Sequence, residues 1–115
     1  MIKYGVKLWS NNSVNFFNQA VRLIDNGEID FVELYVHPEM TDFNNLGMLK
    51  NKKIVIHSTH HQHGFDLFDL NEASQKFFKD KVVGAADFFN SEFIILHPGA
   101  GDNKEIFKEN LKKNL

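Results

Sequence analysis

Four of the six histidines in this chain fall within seven positions, in the stretch IVIHSTHHQHG at residues 54–64. A fifth, His37, precedes Pro38, and the sixth, His97, lies in FIILHPGAG. Imidazole titrates near neutral pH, so it serves as metal ligand, proton carrier or hydrogen-bond partner. Lys7 and Glu33 each interrupt an otherwise apolar run. A carboxylate placed there is costly unless it is ion-paired or metal-bound. Two chemistries therefore stand open for Glu33: a salt bridge to Lys7, or work as a hard oxygen ligand or catalytic carboxylate.

The elements that must position these groups alternate. KYGVKLW (3–9), DFVELYV (30–36), KKIVIHS (52–58) and EFIILH (92–97) have the apolar content and turn-bounded lengths of strands. Ser13 is placed to cap a helix carrying Phe16, Phe17, Ala20, Leu23 and Ile24 on one face, which Gly27 ends. A short helix is expected around Leu46 to Leu49. A long one is expected from Asn71 to Asn90, with Ala73, Phe77, Val82, Ala85, Ala86 and Phe89 inward and Asp69 with Glu72 as capping box. Asp102 with Glu105 marks a last helix start before Ile106, Phe107 and Leu111. Four strand–helix units in series predict an α/β fold with a parallel sheet.

Period-two alternation then sorts the side chains. Val6 and Leu8, Val32, Leu34 and Val36, Ile54 and Ile56, and Ile94 and Leu96 share one aliphatic face. The opposite face carries a polar group at or near the end of each strand: Lys7, Glu33, His57 and His97. A sheet covered by helices on both sides has little room for such a set, whereas the C-terminal mouth of a barrel lumen is where ligands bind. If neighbouring strands pair in sequence order, His57 and His97 lie about 4.8 Å apart, close enough to share a divalent metal. Trp9 and Tyr35 on the same face offer either a wall for a sugar ring or plain barrel filling. His60, His61 and His63 read as a solvated loop, with His60 a candidate substrate contact from above. Gly99 and Gly101, ahead of a helix start, have the composition of a phosphate cradle or of an ordinary turn.

Composition narrows the field. The chain has 115 residues, 43% of them hydrophobic, with twelve phenylalanines, enough for one domain with a real core. Its net charge is −2 and its thirteen basic residues are dispersed, which argues against nucleic acid as a partner. There is no cysteine, so disulfides and thiolate metal sites are excluded. No segment approaches the roughly 20 apolar residues of a membrane span, and a cytoplasmic location is expected.

At VIHSTHHQHGFDL and FIILHPGAG the sequence resembles the xylose-isomerase-like TIM-barrel superfamily. That superfamily contains sugar and sugar-phosphate isomerases and epimerases, and also AP endonucleases of the endonuclease IV type. The resemblance implies that this chain supplies four of the eight (β/α) units of a barrel, its N-terminal half. It implies His57 and His97 as ligands of a divalent ion (Zn, Mn or Mg) in a site this chain leaves incomplete. By their positions at the mouth, Glu33 and Lys7 are candidates for catalysis, and Trp9, Tyr35, His60 and Gly99 for holding a sugar or sugar phosphate, whereas the resemblance implies that the catalytic glutamates usually come from later strands. The chain departs from the endonuclease branch in its first strand, where VKLWS has no histidine. A full barrel needs about 250 residues, so the expectation is either a fragment, with little activity alone, or a half-barrel that pairs with itself through its open edges. A metal-dependent isomerase or epimerase is the leading functional expectation; the endonuclease and a non-catalytic, self-associating half-barrel are the alternatives.

Overall fold

The computed structural model describes residues 1–114. Four strands, β1 (Gly5–Trp9), β2 (Phe31–Tyr35), β3 (Ile54–His57) and β4 (Ile94–Ile95), form one parallel sheet in the order β1-β2-β3-β4. Lys7 pairs in register with Glu33, and Tyr35 with His57. The fold is therefore mixed α/β with sequence-neighbouring parallel strands, as the alternation predicts.

The aliphatic face is the core face. Val32, Leu34, Val36, Ile54 and Ile56 are buried there with Phe17 and Ala20 of α1 (Val14–Asp25) and with Leu46 and Leu49 of a 3-10 segment, Asn44–Leu49. Val6, Leu8, Ile94 and Leu96 are partly buried against the same cluster. Burying such aliphatic side chains contributes about 1.5–3 kcal/mol each before entropy is charged against it, which fixes which side of each strand faces inward. Phe16 is an exception to the expected inner stripe of α1: it is 52% exposed.

α2 (Glu72–Phe77) and α3 (Gly84–Phe89) are joined by a π-helical stretch, Phe78–Val83. One long helix was the expectation; the wider π turn shifts the phase of its faces. As a result Ala73 is exposed and Phe78 is buried with Val82, Ala85, Ala86 and Phe89. Two caps also differ. Asn71, not Asp69, caps α2 by accepting from the Ser74 amide at 2.8 Å. Asn103, not Asp102, accepts from the Glu105 and Ile106 amides at 3.1 and 3.3 Å ahead of α4 (Lys104–Asn114). In both places the shorter route lies with the residue next to the first helical turn. Ser13 does cap α1, and Gly27 follows its end with φ +76°.

The other face of the sheet is open. Along it, Trp9, Phe93 and Ile95 are exposed, while Phe31, Glu33 and Val55 are only partly buried. Among the described residues no helix is long and apolar enough to cross a membrane.

Candidate functional site

The site lies at the C-terminal end of this open face. Glu33 projects from the middle of β2 and His57 from the end of β3, two residues beyond Glu33's register partner Val55. That diagonal brings Glu33 Oε1 to 2.5 Å from His57 Nδ1. Lys7 Nζ stands 4.0 Å from the same oxygen. The carboxylate thus has both partners at once, and the open choice at Glu33 resolves into a Lys7–Glu33–His57 chain running across three strands.

His57 is 4% exposed. Burial pushes its imidazole below the ordinary range; the Glu33 hydrogen bond opposes that shift, and the charges of Lys7 and His97 reinforce it. A neutral ring with its Nδ1–H donated to Glu33 has its lone pair on Nε2. That nitrogen is buried and has no hydrogen-bond partner. An imidazole oriented through one nitrogen by a carboxylate, with the other left bare, is the arrangement that readies a histidine for a metal.

His97 lies two residues past the end of β4, not on the strand as expected, because the ladder to β3 stops at Ile95. Its ring nevertheless stacks on His57 with centroids 4.8 Å apart and planes 26° apart. His60 approaches the His97 ring at 5.4 Å, and its own Nδ1 is buried without a partner. Burial lowers the basicity of His60, and the nearby His63, His97, His61 and His57 rings push it the same way.

The loop after β3 is not simply solvated. A 3-10 turn over His61–His63, closed by Gly64 at φ +101°, folds it back onto β2. The His60 amide donates to the Tyr35 hydroxyl at 3.3 Å, and that hydroxyl in turn meets His63 Nδ1 at 2.5 Å. His61 stays exposed. Thr59 Oγ1 donates to the Val36 carbonyl at 2.5 Å, and Ser10 Oγ accepts from the His37 amide at 2.8 Å, so buried hydroxyls pin the neighbouring strand ends together.

Tyr35 is fully buried and its hydroxyl is held above its ordinary pKa by that burial, against the His60 amide hydrogen bond. It supports the imidazoles from below rather than facing outward. Trp9, 38% exposed, packs on Tyr35 at 5.1 Å and stacks on His37 at 5.5 Å, and it is the aromatic surface the mouth presents. Gly99, at φ +101°, wraps the Asp66 side chain: a Cβ there would lie 2.0 Å from Asp66 Oδ1. Asp66 also accepts from the Ala100 amide at 3.3 Å, so of the two readings of this glycine pair the turn is the one seen, with a carboxylate where a phosphate would sit.

His37 also belongs to the site, although the Pro38 that follows gives it the look of a turn residue. It is buried, 4.7 Å from the His63 ring and stacked on Trp9. The signal was present: positions 33, 35 and 37 share one parity, so the polar face of β2 continues to His37. Ring contacts link all six histidines, with Tyr35 and Trp9, into one cluster.

For a metal, the fit is partial. His57 Nε2 and His60 Nδ1 are bare buried nitrogens, and His97 is adjacent. Nitrogen donors suit Zn better than Mg, which prefers oxygen. Among the described residues no group of three or more His, Asp or Glu converges tightly enough to hold an ion. Searches of protein-family models, of curated proteins and of solved structures return no match to this chain.

Proposed function

We propose that this chain is half of a xylose-isomerase-like (β/α)₈ barrel and that its histidine cluster is the N-terminal part of a metal-dependent sugar or sugar-phosphate isomerase or epimerase site. The observation that carries the reading is the bare, buried Nε2 of His57, oriented by Glu33 and stacked beside His97. The sequential parallel sheet with one open face supports the barrel half of the reading.

In this reading His57 and His97 would give two nitrogen donors to a divalent ion, Zn or Mn before Mg, with the remaining ligands coming from the other half of the barrel, and the ion would act as Lewis acid on a substrate carbonyl or hydroxyl. Glu33 positions His57 through Oε1 and has Oε2 left to take a proton next to the carbonyl. Lys7, whose side chain is 43% exposed, presents its ammonium to a substrate oxygen at the mouth. Trp9 offers a ring face to the sugar, as aromatic surfaces do for apolar sugar faces.

The test uses aldoses, ketoses and their phosphates in D₂O with Zn²⁺, Mn²⁺ or Mg²⁺, following exchange of the proton beside the carbonyl by NMR, with metal content measured in parallel. The expected result is metal-dependent exchange by the completed barrel, with His97→Ala losing metal and exchange together, and little exchange by this half alone. Unchanged metal content in His97→Ala overturns the site. Chelator-sensitive incision of abasic-site DNA, run alongside, replaces the isomerase reading with the endonuclease one.

A further inference from the structure

The open sheet face and the two unpaired sheet edges call for a partner, and we infer that the partner is a second copy of this chain, joined head to tail so that β4 of each copy pairs with β1 of the other. This inference rests on the half-barrel reading above.

Three observations carry it. The first is area. A folded monomer of 13.3 kDa exposes about 6,450 Å² by the mass scaling of accessible surface, whereas this chain exposes 7258 Å². The excess of about 800 Å² is what one partner contributes to a standard protein–protein interface. The second is shape. The molecule measures 45 × 33 × 21 Å, and its radius of gyration is 14.9 Å where about 13.4 Å is usual for 115 residues. The third is the chemistry of the surplus surface. Phe93 and Ile95 beside the β4 edge are 58% and 39% exposed, and Trp9 at the β1 edge is 38% exposed. Along the helix side of β1, Val6, Leu8, Phe16 and Leu23 line an open groove.

Closure also fixes the register. Within the chain, Leu8 is level with Leu34, Leu34 with Ile56 and Ile56 with Ile94. An eight-stranded barrel of this type has a shear of 8 residues around the ring. The four strands of one copy contribute none of it, so by two-fold symmetry each of the two junctions supplies about four residues. Ile94 then lies level with Tyr4 of the second copy and Phe93 with its Lys3. The shift is even, so the pleat is preserved and each side chain keeps its face. In this register Ile95 meets Gly5 at the start of β1, and the junction extends β1 back over Tyr4 and Lys3; a slip of four the other way would set Ile94 against Asn12 and Ile95 against Ser13, the cap of α1, with no pair inside β1. Each copy spans half the ring, so two identical junctions close it and leave no free edge.

The chain has no cysteine, which allows a clean cross-linking test. Lys3→Cys and Phe93→Cys are exposed positions outside the histidine cluster. Mixed under oxidation, the two variants are expected to form the heterodisulfide, because paired strands bring the Cα atoms within disulfide range. Neither variant alone is expected to cross-link to itself. Sedimentation velocity of the unmodified chain should show a discrete dimer, and Phe93→Asp should raise the dimer dissociation constant at least 100-fold while the circular dichroism stays unchanged. A monomer throughout the micromolar range, open-ended aggregates, or self-cross-linking of Phe93→Cys overturns the inference. A monomer that still binds metal through His57 and His97 sinks the dimer alone; a dimer without metal leaves the dimer standing and sinks the site.

Discussion

The two faces of the sheet are made from the same strands, residue by residue in alternation, yet they obey different rules. On the covered face, Val32, Leu34 and Ile56 are fully buried among aliphatic and aromatic neighbours. On the open face, the same strands hold Lys7, Glu33 and His57, whose polar atoms form a charged and hydrogen-bonded chain, and Tyr35, whose hydroxyl meets the His60 amide and His63 Nδ1. The first face secures the fold through water-excluded contact that needs no direction. The second tolerates Lys7, Glu33 and Tyr35 because each has a partner, while one nitrogen each on His57 and His60 stays bare. Stability and chemistry are thus segregated by strand parity.

The contrast is sharpest for large-to-small changes. Leu34→Ala on the covered face should destabilise the chain by about 3–4 kcal/mol, through lost transfer energy and the cavity left behind; urea unfolding measures it, and a loss below about 1 kcal/mol breaks the claim that this face carries the fold. Across the sheet, Glu33→Ala should cost about 1–3 kcal/mol, the penalty of leaving the His57 Nδ1–H without its acceptor. Glu33→Gln should recover most of that loss, since an amide oxygen still accepts the hydrogen bond. Equal losses for both variants would show that charge, not orientation, is what Glu33 provides.

Acid distinguishes the faces next. His57 and His60 both hold their protons less tightly in the fold than in the unfolded chain. The unfolded state then binds more protons below the ordinary histidine pKa of about 6.5, so stability rises with pH there. The penalty is absent above that value and grows as pH falls toward the depressed folded pKa values. Unfolding midpoints in chelator should therefore drop between pH 7 and pH 5, and His57→Gln with His60→Gln should flatten the drop. The smallest effect belongs to the exposed rim. Phe93→Ser, assayed dilute enough for a single chain, should change stability by no more than about 0.5 kcal/mol.

Much of this was legible in the chain. The strand positions, the helix-facing aliphatic set and the shared face of Lys7, Glu33 and His57 follow from period-two alternation, because burial of one face leaves no other register. The Lys7–Glu33 neighbour relation follows from sequential parallel pairing. His37 was readable by the same parity but was masked by Pro38, which reads as a turn. The phase change in the long helix was not readable, since no residue among Phe78–Val83 marks a π turn.

By itself, the sequence determined where apolar and polar groups alternate, and hence which side chains must share a surface: that is local stereochemistry, repeated every second residue. Only the tertiary structure decided that Glu33 clasps His57 diagonally across two strands, that the 60–63 loop folds back onto the Tyr35 hydroxyl, and that Asp66 fills the turn at Gly99. Those contacts join residues 24 to 34 positions apart. Their geometry depends on how the sheet and its loops settle against the core, which no short stretch of chain encodes.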